Sequence, residues 1–215
     1  VVVVTVNHRL NALGYMDLSD YGEDYQYSGN CGTADLVASL KWVKENIANF
    51  GGDPDNVTIF GQSGGGCKVL NMFATSEAEG LFDQAVVQSG GEGHIDQDIA
   101  KKVTAKTLEI LGISDNEVEQ LKEVPYDTLD AAATEAQKQV GEELGTSVGW
   151  SPVLDEDYLH TDFLDWTNDV PVMVGSVFGE MNCWTALDPN EPNKNSWTEE
   201  EVDEKLKNMV IKQKL

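Results

Sequence analysis

The most constraining feature of the sequence is a buried-strand pattern that runs directly into a glycine-rich turn around Ser63. Residues 57–60 are β-branched or aromatic and carry no charge, as expected for a parallel strand covered on both faces. The turn reads Gly61-Gln62-Ser63-Gly64-Gly65-Gly66, and residues 67–74 then place apolar side chains at helical spacing. This order of strand, G-x-S-x-G and helix is typical of a nucleophile elbow.

The chemistry of an activated serine explains the glycines of this turn. A serine hydroxyl needs a base to take its proton, and it must stand clear of the backbone to reach a carbonyl carbon. We expect the turn to strain the backbone of Ser63. We also expect that a Cβ atom at position 61 or 65 would collide across the turn, which explains why Gly61 and Gly65 are glycines. The N–H of Gly64 would then point to where negative charge develops, as in an oxyanion hole.

Two alternatives explain a glycine-rich turn without a nucleophile: a simple tight turn and a phosphate-binding loop. A Walker-type loop requires lysine and then serine or threonine directly after its last glycine. Here Gly66 is followed by Cys67 and Lys68. The flanking strand and helix patterns therefore favour the elbow.

The remaining patterns predict an α/β protein with a mostly parallel sheet. Val1–Val6 reads as a central strand, and an apolar stripe from Leu36 to Ile47 predicts a helix that links it to residues 57–60 in a right-handed strand–helix–strand unit. Residues 84–90 and 170–175 predict two further buried strands. Because a central strand seldom opens a domain, we expect this sequence to be an excerpt.

Changes of pattern divide the chain into three parts. Residues 1–91 form the predicted sheet core with the elbow, and residues 92–148 form a helical insertion interrupted near Gly112 and Pro125. Residues 149–215 carry a loop, another strand and a last helix, which opens with a capping box of Thr198 and Glu201.

Composition excludes several classes of partner. The formal net charge of −24 argues against nucleic acid and against anionic membrane surfaces, and no apolar run is long enough to span a membrane. The three cysteines, Cys31, Cys67 and Cys183, lack the spacing of a metal site or a disulfide framework. Free thiols predict a reducing, cytoplasmic location, and secretion stays open if a leader precedes Val1.

A longer set of residues resembles the type-B carboxylesterases, which include the para-nitrobenzyl esterases and cholinesterases. The match begins with Asn30-x-Gly32-x-x-Asp35, continues from Leu40 through Phe50-Gly51-Gly52-Asp53-Pro54 and ends with the elbow. Val3–Leu10, Gln88-Ser89-Gly90 and Pro152–Asp155 are also similar to that family. The resemblance is dense over residues 1 to about 90 and looser over residues 149–181.

The resemblance implies an α/β-hydrolase fold with a helical insertion, incomplete in this chain, and no metal or organic cofactor. The family places its catalytic glutamate five residues beyond the glycine that ends a strand. Gly175 and Glu180 have that spacing, so Glu180 is the expected catalytic acid beside the nucleophile Ser63. A carboxylate at the C-terminal end of a strand can fix the tautomer of an imidazole and stabilise its charged form.

The sequence also departs from the family. Gln62 and Gly64 stand where glutamate and alanine are usual. We expect these two replacements to adjust the activity and not to abolish it, because Gly64 retains the N–H that an oxyanion hole needs. Histidine should follow the acid in this fold, but none of His8, His94 and His160 does, and all three are expected to be structural or exposed. The family's H-G-G-G segment is also missing. We expect the base and half of the oxyanion hole to lie outside these 215 residues.

Three functions follow from these observations. The favoured one is a serine hydrolase that cleaves uncharged or mildly polar carboxylic esters through an acyl-enzyme, with the remaining segments of the same hydrolase domain as its structural partners. The alternative is a non-catalytic, esterase-like adhesion protein; such relatives commonly lose the serine, whereas this chain has both Ser63 and Glu180. The third is a piece that stands alone, inactive or completed by a partner chain.

Overall fold

The computed structural model describes residues 1–91, 93–180 and 197–212, and the chain forms two compact units, Val1–Gly175 and Ser176–Leu215. The strands are β1 Thr58–Gln62, β2 Gln84–Gln88, β3 Ile95–Asp96, β4 Val153–Leu154 and β5 Val172–Gly175. The α-helices are α1 Asn11–Tyr15, α2 Cys31–Asn46, α3 Gly64–Phe73, α4 Gln97–Leu111, α5 Tyr126–Leu144 and α6 Glu199–Lys212. Short 3₁₀ segments cover Ser19–Tyr21, Glu23–Tyr25, Ser28–Asn30, Ile47–Phe50, Ser76–Ala78, Asp115–Glu123 and Asp165–Asp169.

A three-stranded parallel sheet organises the first unit, as the sequence predicts. Its order is β1-β2-β5, and α3 is the crossover between β1 and β2. The register places Phe60, Val86 and Met173 side by side in one row across the sheet. Because all three strands run in the same direction, their carboxyl ends meet at a single edge.

One face of the sheet forms the main hydrophobic core with α2 and α3. Val37 and Leu40 of the apolar stripe predicted for α2 are buried there, and the helical segment ends as expected, with Gly51 in the left-handed region at φ 80°. The aromatic rings of Phe73 and Phe82 meet edge to face with their centroids 5.3 Å apart. The buried members of the core are Val37, Leu40, Val69, Met72, Phe73, Ala78, Phe82, Ala85 and Val87.

The opposite face of the sheet is exposed, so the prediction of strands covered on both faces is wrong for the described residues. Phe60 is 64% exposed and Met173 is 69% exposed. The reason is that α2 and α3 pack on one face only, while α4 and α5 build separate clusters with other partners. In addition, among the described strands β5 lies at the edge of the sheet and pairs only with β2.

Val1–Val6 is not a strand in this structure, which corrects the prediction of a central strand at the start of the chain. These residues make no ladder hydrogen bonds with any described strand, and their valines are exposed. An apolar extended segment becomes a strand only when another backbone lies about 4.8 Å away. The predicted strand–helix–strand unit with β1 therefore does not form, and the parallel pairs are β1-β2 and β2-β5.

The middle of the chain is helical, as its pattern predicts. Helix α4 ends at Leu111 and is capped by Gly112, which has φ 68°, and α5 begins directly after Pro125. A two-residue parallel ladder between β3 and β4, which no sequence pattern predicts, ties the start of α4 to residues 153–154. The division of the chain at residues 92 and 148 stays a prediction.

The described part of the second unit contains the predicted capping box. The backbone N–H of Thr198 donates to Glu201 Oε2 at 2.7 Å, and the N–H of Glu201 donates to Thr198 Oγ1 at 3.3 Å. These bonds fix the start of α6. No helix within residues 1–91, 93–180 or 197–212 combines the length and apolar composition that crossing a bilayer requires.

Candidate active site

Ser63 lies alone between the last residue of β1 and the first residue of α3, in a strained backbone conformation. Its φ is 54° and its ψ is −120°, a combination that residues with a side chain rarely adopt. The N–H of Ser63 donates to the Gln88 carbonyl at 2.9 Å, and its carbonyl accepts from the Cys67 N–H at 3.0 Å. The sheet and the helix thus both bond to this residue, which is why the strain persists.

Gly61 and Gly66 permit the close contacts of the turn. A Cβ on Gly61 would lie 2.3 Å from the carbonyl carbon and oxygen of Gly65. A Cβ on Gly66 would lie 2.9 Å from the Cα of Gly90, in the loop after β2. The expectation for Gly61 is confirmed, but the one for Gly65 is wrong, because a Cβ there would have no neighbour within 4 Å. The backbone of Gly65 is thus what a side chain at position 61 would meet, whereas a side chain at position 65 would meet nothing.

Ser63 is accessible to solvent and directly precedes the first N–H groups of α3. Ser63 and Gly64 are both exposed, and the serine side chain does not cap the helix. The first N–H groups of α3, beginning with that of Gly64, have no partner within the helix and carry its partial positive charge. A Cβ on Gly64 would meet only Lys68 Nζ, at 3.9 Å, so the alanine usual in similar sequences would also fit.

A second strained serine lies at the same edge of the sheet. Ser89 follows β2, has φ 50°, and donates its N–H to the Gly175 carbonyl at 2.7 Å. The sequence pattern predicts that Ser89 belongs to the strand of residues 84–90, but the strand ends at Gln88 and the backbone of Ser89 is left-handed. The three strand ends are therefore joined by backbone hydrogen bonds from Ser63 to Gln88 and from Ser89 to Gly175.

Glu180, the predicted acid, belongs to the second unit and follows β5 by five residues. It is half-buried, and its Oε1 accepts a hydrogen bond from the Val177 N–H at 2.9 Å. This contact fixes a short turn at residues 177–180. The catalytic role of Glu180 stays a prediction.

No imidazole is hydrogen-bonded to Ser63 within the described part of the chain. The ring of His8 contacts the Arg9 carbonyl through Nδ1 at 2.9 Å. The backbone of His160 donates to the Ala74 carbonyl, at the opposite end of α3 and about 15 Å along the helix axis from Ser63. His94 follows Gly93, whose carbonyl accepts from the Asn71 side chain at 3.0 Å. The structural or exposed roles expected for the three histidines stay a prediction.

The residues of the Asn30, Gly32 and Asp35 motif serve the scaffold. Asn30 is buried and pairs with both backbone groups of Val153, at 2.8 and 3.0 Å. A Cβ on Gly32 would lie 2.6 Å from the Arg9 carbonyl. Asp35 forms an ion pair with Arg9 at 2.7 Å, and these hydrogen bonds lower the pKa of Asp35 and raise that of Arg9.

The cysteines add no metal centre to the described structure. Cys31 and Cys67 are free thiols, burial raises the pKa of Cys31, and Cys183 lies outside the described residues. In residues 1–91, 93–180 and 197–212, no group of three or more histidine, cysteine, aspartate or glutamate side chains is arranged to hold a metal ion.

Comparisons with known proteins identify the family and agree with the fold. A family model described as "Carboxylesterase family" matches residues 1–215. Para-nitrobenzyl esterase of Bacillus subtilis is 43% identical over 133 residues, which are 62% of this chain and 27% of that protein. Neuroligin-2 of Mus musculus is 46% identical over 91 residues, 42% of this chain and 10% of that protein. The crystal structure of Geobacillus stearothermophilus carboxylesterase EST55 at pH 6.2 matches with a TM-score of 0.75 and 35% identity, covering 93% of this chain and 41% of that one.

Proposed function

Because the chain belongs to the carboxylesterase family, we propose that it is the elbow-bearing part of a serine hydrolase that cleaves carboxylic esters. The chain has part of an α/β-hydrolase fold and spans well under half the length of the relatives it matches. The observation that carries the proposal is the exposed, strained Ser63 between β1 and α3. Its remaining partners would be the other segments of the same hydrolase domain.

The proposed reaction has two stages. The Ser63 oxygen attacks the ester carbonyl carbon while a histidine takes the hydroxyl proton, and the alcohol leaves with that proton to give an acyl-enzyme. Water then attacks the acyl carbon, gives one proton to the histidine and releases the acid, so that Ser63 regains its hydrogen. In both stages the Gly64 N–H stabilises the negative oxygen that develops on the carbonyl.

The other catalytic groups come from two places in this proposal. Glu180 orients the histidine through a hydrogen bond and stabilises its charged form. The histidine itself, together with the remaining oxyanion N–H groups, comes from the complete hydrolase polypeptide outside residues 1–215. The substrates are uncharged or mildly polar esters, because the sequence has 14 basic against 38 acidic residues and no basic cluster to hold an anionic acid.

A second candidate is a non-catalytic, esterase-like binding protein, and the similarity to neuroligin-2, which covers 10% of that protein, gives it weaker support than the hydrolase has. The two candidates differ in ester turnover by the complete polypeptide. Steady turnover of a para-nitrophenyl ester that disappears in Ser63→Ala supports the hydrolase. Absence of turnover in the folded, complete polypeptide supports the binding protein.

Covalent labelling tests the nucleophile directly. We expect an organophosphonate to modify the complete polypeptide at Ser63, and we expect Ser63→Ala to abolish both labelling and turnover. Ser89→Ala is the matched control, because Ser89 has a similarly strained backbone at the same edge of the sheet. Labelling at Ser89 or any other residue would refute the assignment. The isolated 215 residues should hydrolyse nothing, since the histidine is missing; serine-dependent turnover by them would refute that part of the proposal.

A further inference from the structure

A lysine side chain lies beside Gly64, the first residue of α3. The Nζ of Lys68 is 3.5 Å from the Gly64 carbonyl oxygen, and it would be 3.9 Å from a Cβ on Gly64. Lys68 is the fifth residue of α3, so its half-buried side chain runs back by about one helical turn toward Ser63. Lys68 forms no ion pair with a carboxylate of the described residues.

The stability of the helix does not explain this position of the ammonium group. The N-terminal end of a helix carries a partial positive charge, so a cation there is unfavourable unless a carboxylate compensates it. Other lysines of the first unit have such partners: Lys41, Lys44 and Lys101 lie 2.6 to 2.9 Å from carboxylate oxygens. At the elbow, by contrast, the ammonium and the helix end add their positive potentials. This arrangement favours a negative charge beside Gly64.

The segments that form the elbow contain no acidic residue, although the chain has 38 of them in 215 residues. Residues 56–76 and 84–91 include β1, α3 and β2, and Lys68 is the one charged residue in these two ranges. Helix α2 also packs on α3, and its Glu45 is exposed in the last turn. The other charged side chains of α2 have partners elsewhere: Asp35 pairs with Arg9, Lys41 with Glu77 and Lys44 with Asp55.

Lys68 is close enough to act on a charge that develops at the Gly64 N–H. The N and O atoms of one residue are at most about 3.7 Å apart, so Nζ lies within about 7 Å of the Gly64 nitrogen. An oxygen bound by that N–H lies about 2.9 Å further on, so it is at most about 10 Å from Nζ. This distance is comparable to the screening length at about 0.1 M salt, and screening is weaker in a partly enclosed site.

We propose that the charge of Lys68 stabilises the negative oxygen that the Gly64 N–H binds during ester cleavage. This inference rests on the proposed function, and it leaves the two-stage reaction unchanged, because the ammonium gives and takes no proton. The oxygen becomes negative only as the reaction proceeds, so Lys68 should act on the transition state more than on the bound ester. Removal of the charge should therefore lower kcat and leave the KM for a neutral ester nearly unchanged.

Kinetics of the complete polypeptide with para-nitrophenyl hexanoate, a neutral ester, test this role. Lys68→Met removes the charge and nearly keeps the length of the side chain, and it should lower kcat about fivefold with KM within about twofold of the parent. Lys68→Arg keeps the charge and should retain at least about half of the parent kcat. Lys138→Met removes an equal charge from the exposed face of α5 and should match the parent. A Lys68→Met variant as active as the parent would refute the inference.

An anionic ester separates this role from the binding of a charged substrate. The mono-para-nitrophenyl ester of adipic acid resembles the hexanoate but carries a carboxylate at its far end. If Lys68 acts on the oxyanion, Lys68→Met should lower kcat for both esters by a similar factor. A higher KM for the adipate ester alone, with the hexanoate unaffected, would show that Lys68 binds the substrate carboxylate and would overturn the proposal.

A thiol at position 63 reports the same electrostatic effect without ester turnover. Ser63→Cys introduces a group whose pKa falls when positive charge lies nearby. The rate of its alkylation by iodoacetamide against pH gives that pKa, and fragment mass spectrometry separates it from Cys67. Adding Lys68→Met should raise the pKa of the introduced thiol by about 0.5 or more, and adding Lys138→Met should not change it.

The thiol measurement also distinguishes failure of this inference from failure of the proposed function. An unchanged thiol pKa in the Lys68→Met background would refute the inference even if the parent hydrolyses esters through Ser63. A raised thiol pKa in a parent that hydrolyses no ester would refute the proposed function, while supporting the charge effect of Lys68 at position 63.

Discussion

Two apolar segments of this chain have similar compositions, but only one of them forms a β-strand. Val1–Val6 and residues 57–60 are both uncharged and rich in β-branched side chains. Residues 58–62 pair with β2 over five positions and continue through Ser63 into a helix that packs back on the sheet. Val1–Val6 pairs with nothing in the described structure and is followed by an exposed ion pair between Arg9 and Asp35. A composition typical of strands is therefore not sufficient to form one. The segment also needs a neighbouring backbone at hydrogen-bonding distance.

The largest expected effect comes from breaking the turn that holds β1 in place. Gly61→Ala should destabilise the 215-residue chain by about 3 kcal/mol or more, because its Cβ would lie 2.3 Å from the Gly65 carbonyl group. Gly65→Ala is the matched control and should be neutral or slightly stabilising, since its Cβ has no neighbour within 4 Å. Urea unfolding measures both variants. Equal stability of the two would contradict this account of the turn.

A valine-to-alanine substitution can be compared between the paired strand β2 and the unpaired segment Val1–Val6. Val87→Ala removes two methyl groups from a side chain that is 0% exposed, and it should cost about 2 kcal/mol. Val3→Ala, at a position that is 67% exposed, should change the stability of the 215-residue chain by less than about 0.5 kcal/mol. Thermal unfolding followed by circular dichroism compares them. A large cost at Val3 would mean that Val1–Val6 is already packed in this chain.

The smallest expected effect concerns the ion pair that follows Val1–Val6. Asp35→Asn should destabilise the chain at pH 7 by no more than about 1 kcal/mol, because the Arg9 side chain is half exposed and solvent screens the pair. The Arg9 guanidinium lowers the pKa of Asp35 in the folded chain. The unfolded carboxyl, with a pKa of about 3.9, therefore binds its proton first as the pH falls.

The sign of the pH dependence follows from that order. The stabilisation is complete above about pH 5, declines as the pH drops through 3.9, and is lost below the folded pKa of Asp35. Urea unfolding of the parent and Asp35→Asn at pH 7, 4 and 2.5 measures the difference between them. A difference that is as large at pH 2.5 as at pH 7 would assign the effect to something other than the charge of Asp35.

Local features were predictable from the sequence because neighbouring residues determine them. The strain at Ser63 follows from a strand, a glycine pattern and a helix that are contiguous in the chain. The stripe of α2 and the capping box of α6 follow in the same way from spacings of three and four residues. For the same reason, it was predictable that the helical segment of α2 and residues Ile47–Phe50 ends at Gly51.

Features that depend on distant partners were missed or predicted wrongly. Asn30 was noted as part of a motif, but its pairing with Val153, 123 positions away, was not foreseen. The left-handed backbone of Ser89 depends on the arrangement of two strand ends that the turn itself does not encode. The exposure of Phe60 depends on which elements cover the second face of the sheet.

The sequence alone determined where a serine is presented, because a tight turn between a strand and a helix is encoded within ten consecutive residues. Only the tertiary structure decided which apolar segments become strands and which faces of the sheet are covered. The physical reason is that a strand satisfies its backbone groups through a neighbour, and the distance to that neighbour is set by the folded chain rather than by the segment's own residues.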